Sequence, residues 1–329
     1  MLKQNLILIC GFIFILSCNS PKNETQKEET TENNFQLATS TEEVKLFAED
    51  IVSTSLYERD LAISPKGDEI VYTLGNYNQK KRSLVSIQKI NEVWISPKLL
   101  SISGKYQDIE PFFDPSSNRL YFASNRPMNG DTTRADYNIW YSEKIAGVWN
   151  EPVALDPIIN TRSDEFYPSL SKSGNLYFTA TRGNGIGGED IFMAQPENGQ
   201  FSEPILLPET INTVFYEFNA FIDPEEKYLI FSSYGRADDL GGGDLYMSEK
   251  DSDGNWMSAR HLGDQINSDK LDYCPFVDVN AKILYFTSER IDQEVSEIKS
   301  VEQLRALSNS IQNGFGNIYS ISLEAVKSE

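Results

Sequence analysis

Short runs in which apolar and polar side chains alternate recur along most of this chain. Residues 176–181, "LYFTAT", have the two-residue period of a strand with one face buried. The run sits inside "EFYPSLSKSGNLYFTATR" (165–182), which has relatives at 108–126, 217–236 and 272–290 and a fainter copy at 58–76. The aligned residues Leu61, Pro111, Pro168, Ala220 and Pro275 lie 50 to 57 positions apart. Each unit continues alike. A third strand-like run follows at "NIWYS" (138), "DIFMA" (190), "DLYMS" (244) and "NIYSI" (317). A fourth follows an aromatic, in "VWISPKLL", "VWNEPVAL", "QFSEPILL" and "NWMSARHL". The pairs Ile159-Asn160, Ile211-Asn212 and Ile266-Asn267 then precede the next unit.

Four short strands per repeat of about fifty residues, separated by turn residues, describe a β-propeller blade. The predicted fold is therefore an all-β propeller of five four-stranded blades. The fifth unit stops after its third strand, and an open edge invites aggregation. The segment 44–54, "VKLFAEDIVST", resembles "ILLPETINT" (205–213) and is the candidate fourth strand, closing the ring from the N-terminal side. One motif must be set aside. "GNGIGG" (183–188) fits G-x-G-x-x-G, but a strand-like run rather than a helix follows it, so no helix N-terminus is there to hold a pyrophosphate. Its glycines are expected to supply positive φ in a tight connection between strands.

The acid-x-x-Pro start, the "SPKG" and "DPSS" turns, the "LYF" strand and the "GGxD" approach to the third strand resemble the PD40 repeats. These are the WD40-like, TolB-type propeller repeats found in many lipoproteins of Gram-negative bacteria, and the resemblance covers about residues 44–325. It implies a propeller in the cell envelope and no particular activity. The N-terminus agrees. Lys3 precedes an apolar run at 6–16, too short to span a bilayer, which needs about twenty residues. Ile15-Leu16-Ser17-Cys18 resembles a lipobox, whose cysteine becomes the lipidated first residue; the alternative is an ordinary secretory signal. The expected organisation is a signal peptide at 1–17, a lipidated Cys18 with a disordered polar tether at 18–43, and the propeller at 44–329. Localisation as an outer-membrane lipoprotein, periplasmic or surface-facing, follows from that resemblance.

The formal charge is −20, from 49 acidic and 29 basic side chains, which argues against nucleic acid as a partner. The expected partners are a membrane, through the lipid, and an envelope protein or glycan. His261 is the only histidine, and it falls on an outer strand, so Ser–His and His-based zinc chemistry lack their parts. Cys274, beside Pro275 on an inner strand, is expected as a buried packing residue. No cofactor, metal or catalytic residue is called for. "DSDGNW" (251–256) resembles a sialidase Asp-box but has one residue too few between glycine and aromatic, and reads as a hairpin turn.

Two features remain as candidate sites. An acid opens every repeat (Glu58, Asp108, Glu165, Glu217, Asp272), and an arginine ends the second strand of four (Arg126, Arg182, Arg236, Arg290), with Asn76 in the first. These are expected to ring one channel mouth, either as scaffold pairs tying blades together or as a ligand site. A carboxylate-based glycosidase is the enzyme reading that survives. The second feature is the enlarged loop 291–316, where Ser300 and Gln303 form a capping box. Val301, Leu304 and Leu307 follow at helical spacing, which predicts a helix at about 301–309 overhanging that mouth, as a cap or as a partner-docking insert.

Overall fold

The computed structural model describes residues 32–33, 35–291, 295 and 297–327. The signal peptide, Cys18 and the tether as far as residue 31 lie outside the described residues. The repeats form a five-bladed propeller of four-stranded antiparallel sheets. In blade three the strands are Glu165–Leu170, Leu176–Ala180, Asp190–Ala194 and Ile205–Leu206, running outward from the axis. The fifth sheet takes its outer strand from the N-terminal side: Lys45 pairs with Ser320 and Leu46 with Tyr319. Outer strands are two residues long throughout, which leaves little edge to template another chain.

The repeated residues have local reasons. The second-strand phenylalanine packs on a third-strand aromatic: Phe178 on Phe192 at 6.0 Å, Phe231 on Tyr246 at 6.2 Å, and Phe286 on Tyr319 at 5.9 Å. The Ile-Asn pair closes three of the blades. Asn160 accepts from Ile139 N (2.8 Å) and donates to Ile139 O (2.9 Å), and Asn212 and Asn267 repeat this on Ile191 and Leu245. An amide side chain thus extends the ladder where backbone partners run out.

Two expectations need correcting. The chain is packed well before residue 44. Glu32 and Asn33 pair with Ile95 and Trp94, and Phe35 is buried against Phe47 (5.8 Å) and Trp94 (5.2 Å). Thr41 O accepts from Ser322 N at 2.9 Å. Phe35, with Leu37 and Ala38 packed beside it, docks this largely polar stretch on a groove between the first and last blades. The glycines of 183–188 do not adopt positive φ either. They are small because the next blade is close: a Cβ on Gly187 would lie 2.3 Å from Phe215 O, and one on Gly188 2.3 Å from the Tyr216 ring. The stretch caps itself on Asp190, which accepts from the N–H groups of Ile186 and Gly187.

Candidate binding site at the propeller axis

The five opening acids are each 0 % exposed and turn into the scaffold rather than ringing the mouth. Asp108 accepts from Ser103 Oγ (2.8 Å), Ser124 Oγ (2.6 Å) and Arg126 (2.7 Å). Glu165 accepts from Thr161 N (3.0 Å) and Oγ1 (2.5 Å), with Arg182 3.8 Å away. Glu217 holds Thr213, Ser233 and Arg236, and Asp272 holds Ser268 and Arg290. In blade one, Glu58 holds Thr54 and, in place of an arginine, Asn317 from the last blade.

Each acid–arginine pair lies within one blade, and the link between blades is the arginine's other bond. Arg126, Arg236 and Arg290 donate to the carbonyls of Ile102 (3.1 Å), Ile211 (2.5 Å) and Ile266 (2.6 Å) in the incoming connections. Arg182 donates likewise to Ile159 O. The guanidinium planes lie over the aromatic pairs, as Arg236 does over Tyr246 at 4.7 Å. Burial pushes the Glu165 carboxyl up to about 7 against the opposing bonds from Thr161.

What faces the axis is the residue two places on. In every inner strand the register against the second strand slips there, and Asp60, Glu110, Tyr167, Asn219 and Cys274 all have φ between 48° and 60°. This β-bulge turns five dissimilar side chains toward one another. Arg59 bridges Asp60 and Glu110, at 2.8 Å each. Asn219 Nδ2 donates to Glu110 (3.3 Å), and Cys274 Sγ lies 3.5 Å from both Asn219 and Arg59. The Tyr167 hydroxyl crosses from blade three to donate to Pro275 O of blade five, at 3.0 Å. The cluster plugs the axis.

Above the plug opens a pocket of 270 Å³ lined by Arg59, Arg82, Glu110, Glu189, Asn219 and Tyr273, with Phe166 and Phe218 as apolar walls. Burial raises Glu110 to about 7, Arg59 opposing and Asp60 reinforcing. Burial raises Glu189 too, with Asp164 adding to it. Burial also drives the Cys274 thiol far above its usual value, so it is no nucleophile at neutral pH. None of the five opening acids lines this pocket. The missed residues carried a signal all the same: they are the position before the repeated proline, and the one that changes identity in every blade. Among the described residues no group of three or more His, Cys, Asp or Glu side chains is placed to hold a metal ion.

The insert forms its helix at Val301–Ser308, with Ser300 Oγ accepting from Gln303 N (3.0 Å). The Gln303 side chain reaches Lys299 N, one residue before the cap. No helix residue is buried: Val301 and Leu304 are 60 % and 52 % exposed, and Leu307 is half-buried.

Sheet order, axial plug and pocket define the class as a five-bladed β-propeller. No protein-family model matches the chain, and no curated protein sequence does. Among solved structures it is similar to TolB from Acinetobacter baumannii (12% identity, TM-score 0.46), covering 80% of this chain and 54% of that one. It is also similar to a thermostable family-43 glycoside hydrolase (13%, TM-score 0.49; 73% and 85% covered). A third is the endo-arabinase from Bacteroides thetaiotaomicron (17%, TM-score 0.47; 72% and 91%). The chain therefore spans about half the length of that TolB, and likeness at this level concerns fold alone.

Proposed function

We propose that this chain is an outer-membrane lipoprotein of the Gram-negative envelope, anchored through a lipidated Cys18, whose propeller is a non-catalytic scaffold for a protein or glycan partner. The sharing of Arg59 between Asp60 and Glu110 carries the non-catalytic part. A glycosidase needs two carboxyl groups with separate tasks, one free to give a proton and one free to attack or activate water. Here Glu110 is tied by the Arg59 guanidinium to Asp60 of the plug, so it is not free for either task. Exposed apolar residues on the loop face support a partner: Val214, Phe215, Tyr216 and Tyr234 crowd the junction of blades three and four. The anchor rests on the lipobox, and an acylated cysteine supplies more than the two signals stable attachment needs.

A second reading, a carbohydrate-active propeller, is favoured by one feature. Glu110, held near neutrality, and Glu189 share a pocket with the aromatic walls of Phe166, Phe218 and Tyr273. A panel of chromogenic glycosides with the purified protein separates the two. The scaffold reading expects no turnover, whereas turnover abolished by Glu110→Gln establishes the enzyme. In the same study Cys18→Ser should move the protein out of the membrane fraction or leave it unprocessed. Unchanged fractionation and processing would refute the anchor.

A further inference from the structure

The opposite mouth of the propeller, where inner strands turn into second strands, has a different chemistry. Four residues after the opening acid, three blades carry phenylalanine: Phe112, Phe221 and Phe276. Phe221 lies 6.3 Å from Phe112 and 5.6 Å from Phe276, so the three rings line one wall of the axis. The equivalent positions in blades one and three are Ala62 and Ser169, too small to complete the ring. A pit of 680 Å³ opens over these phenylalanines. That volume lies within the roughly 300–1,000 Å³ of small-molecule pockets.

The rim is polar and its charges are not equivalent. Asp278 is engaged by its own turn, accepting from Asn280 N and Ala281 N at 3.0 Å each. Glu225 pairs with Lys172 at 3.1 Å, but both side chains are more than half exposed, so the pair is weak and Lys172 is easily recruited. Lys66, from the first blade's turn, is exposed and makes no ion pair among the described residues. On a chain of formal charge −20, a rim of two lysines and two carboxylates is locally neutral, and Lys66 is its cation without an ion pair among the described residues. We propose that this pit binds a small amphiphilic anion, its apolar body against Phe112, Phe221 and Phe276 and its negative head at Lys66 and Lys172. The site is separate from the axial pocket, from which the plug divides it, and does not depend on the lipid anchor.

Calorimetric titration of the full-length protein with decanoate tests this, with decyltrimethylammonium as the same tail bearing a cation. Saturable binding of one decanoate is expected, at least tenfold tighter than the cation. The exposed double variant Lys66→Glu/Lys172→Glu should weaken decanoate at least tenfold with its melting temperature unchanged. Val279→Trp, on the rim at 39 % exposure, should block the site. Absence of saturable binding, equal affinity for the cation, or decanoate binding that survives either variant would each overturn the proposal.

Discussion

Glu165 is enclosed by Thr161, with Arg182 too far for a close ion pair, and burial leaves its carboxyl near neutrality. Glu110 stands likewise at the axis, and burial moves Glu58 in the same direction. A carboxyl raised in the folded state binds a proton that the unfolded chain has already released. Its stabilisation is fully present below the unfolded value of 4.5 and is lost as pH rises through about 7. Urea unfolding should therefore give lower stability at pH 8 than at pH 5, by roughly 1–3 kcal/mol for each of Glu165 and Glu110. Glu165→Gln should flatten part of that slope. Equal slopes for variant and parent would mean that Glu165 ionises normally in the fold.

The helix Val301–Ser308 shows what an element can be without a core. Its Ser300 cap and internal bonds hold it, while Val301 and Leu304 face solvent. Its base is fixed separately, by Asn313 Nδ2 on Ser55 O and by the Ile291–Asn313 bridge. A helix that buries nothing contributes little to global stability. Replacing 297–311 by a Gly-Ser connection should shift Tm by less than about 2 °C. A larger drop, read by circular dichroism, would mean that the insert covers blade five after all, leaving the docking role without its motive.

Closure of the ring is a property of the whole molecule. Two residues, Lys45 and Leu46, complete the last sheet, and the preceding segment adds Phe35 on Trp94 and Phe47. A chain beginning at residue 44 should fold and stay monomeric but lose a buried phenylalanine, a cost of about 3 kcal/mol and several degrees in Tm. One beginning at residue 56 leaves the strand Asn317–Ser322 as an open edge, and should aggregate or unfold without cooperativity. Size-exclusion chromatography with melting curves distinguishes the outcomes. A monomeric, cooperative chain from residue 56 would show that closure is dispensable.

Blade number, strand order, the closing N-terminal strand and the helical insert were legible in the sequence. Each rests on a local period or cap that repeats or stands alone: alternation in "LYFTAT", the fifty-residue spacing, the Ser300–Gln303 box. The pairing of Asp108 with Arg126 and of its counterparts was legible for the same reason. Which side chains meet at the axis was decided only by the fold. A bulge in each inner strand swaps the face of one residue, and no alternation pattern shows a register slip in advance. The acids that repeat are therefore scaffold, and the five that differ, Asp60 to Cys274, converge because five blades bring positions some fifty residues apart to one line. Docking of Phe35 was equally a tertiary outcome, since one aromatic in a largely polar stretch has no period, and only the groove between first and last blades gives it a place to pack.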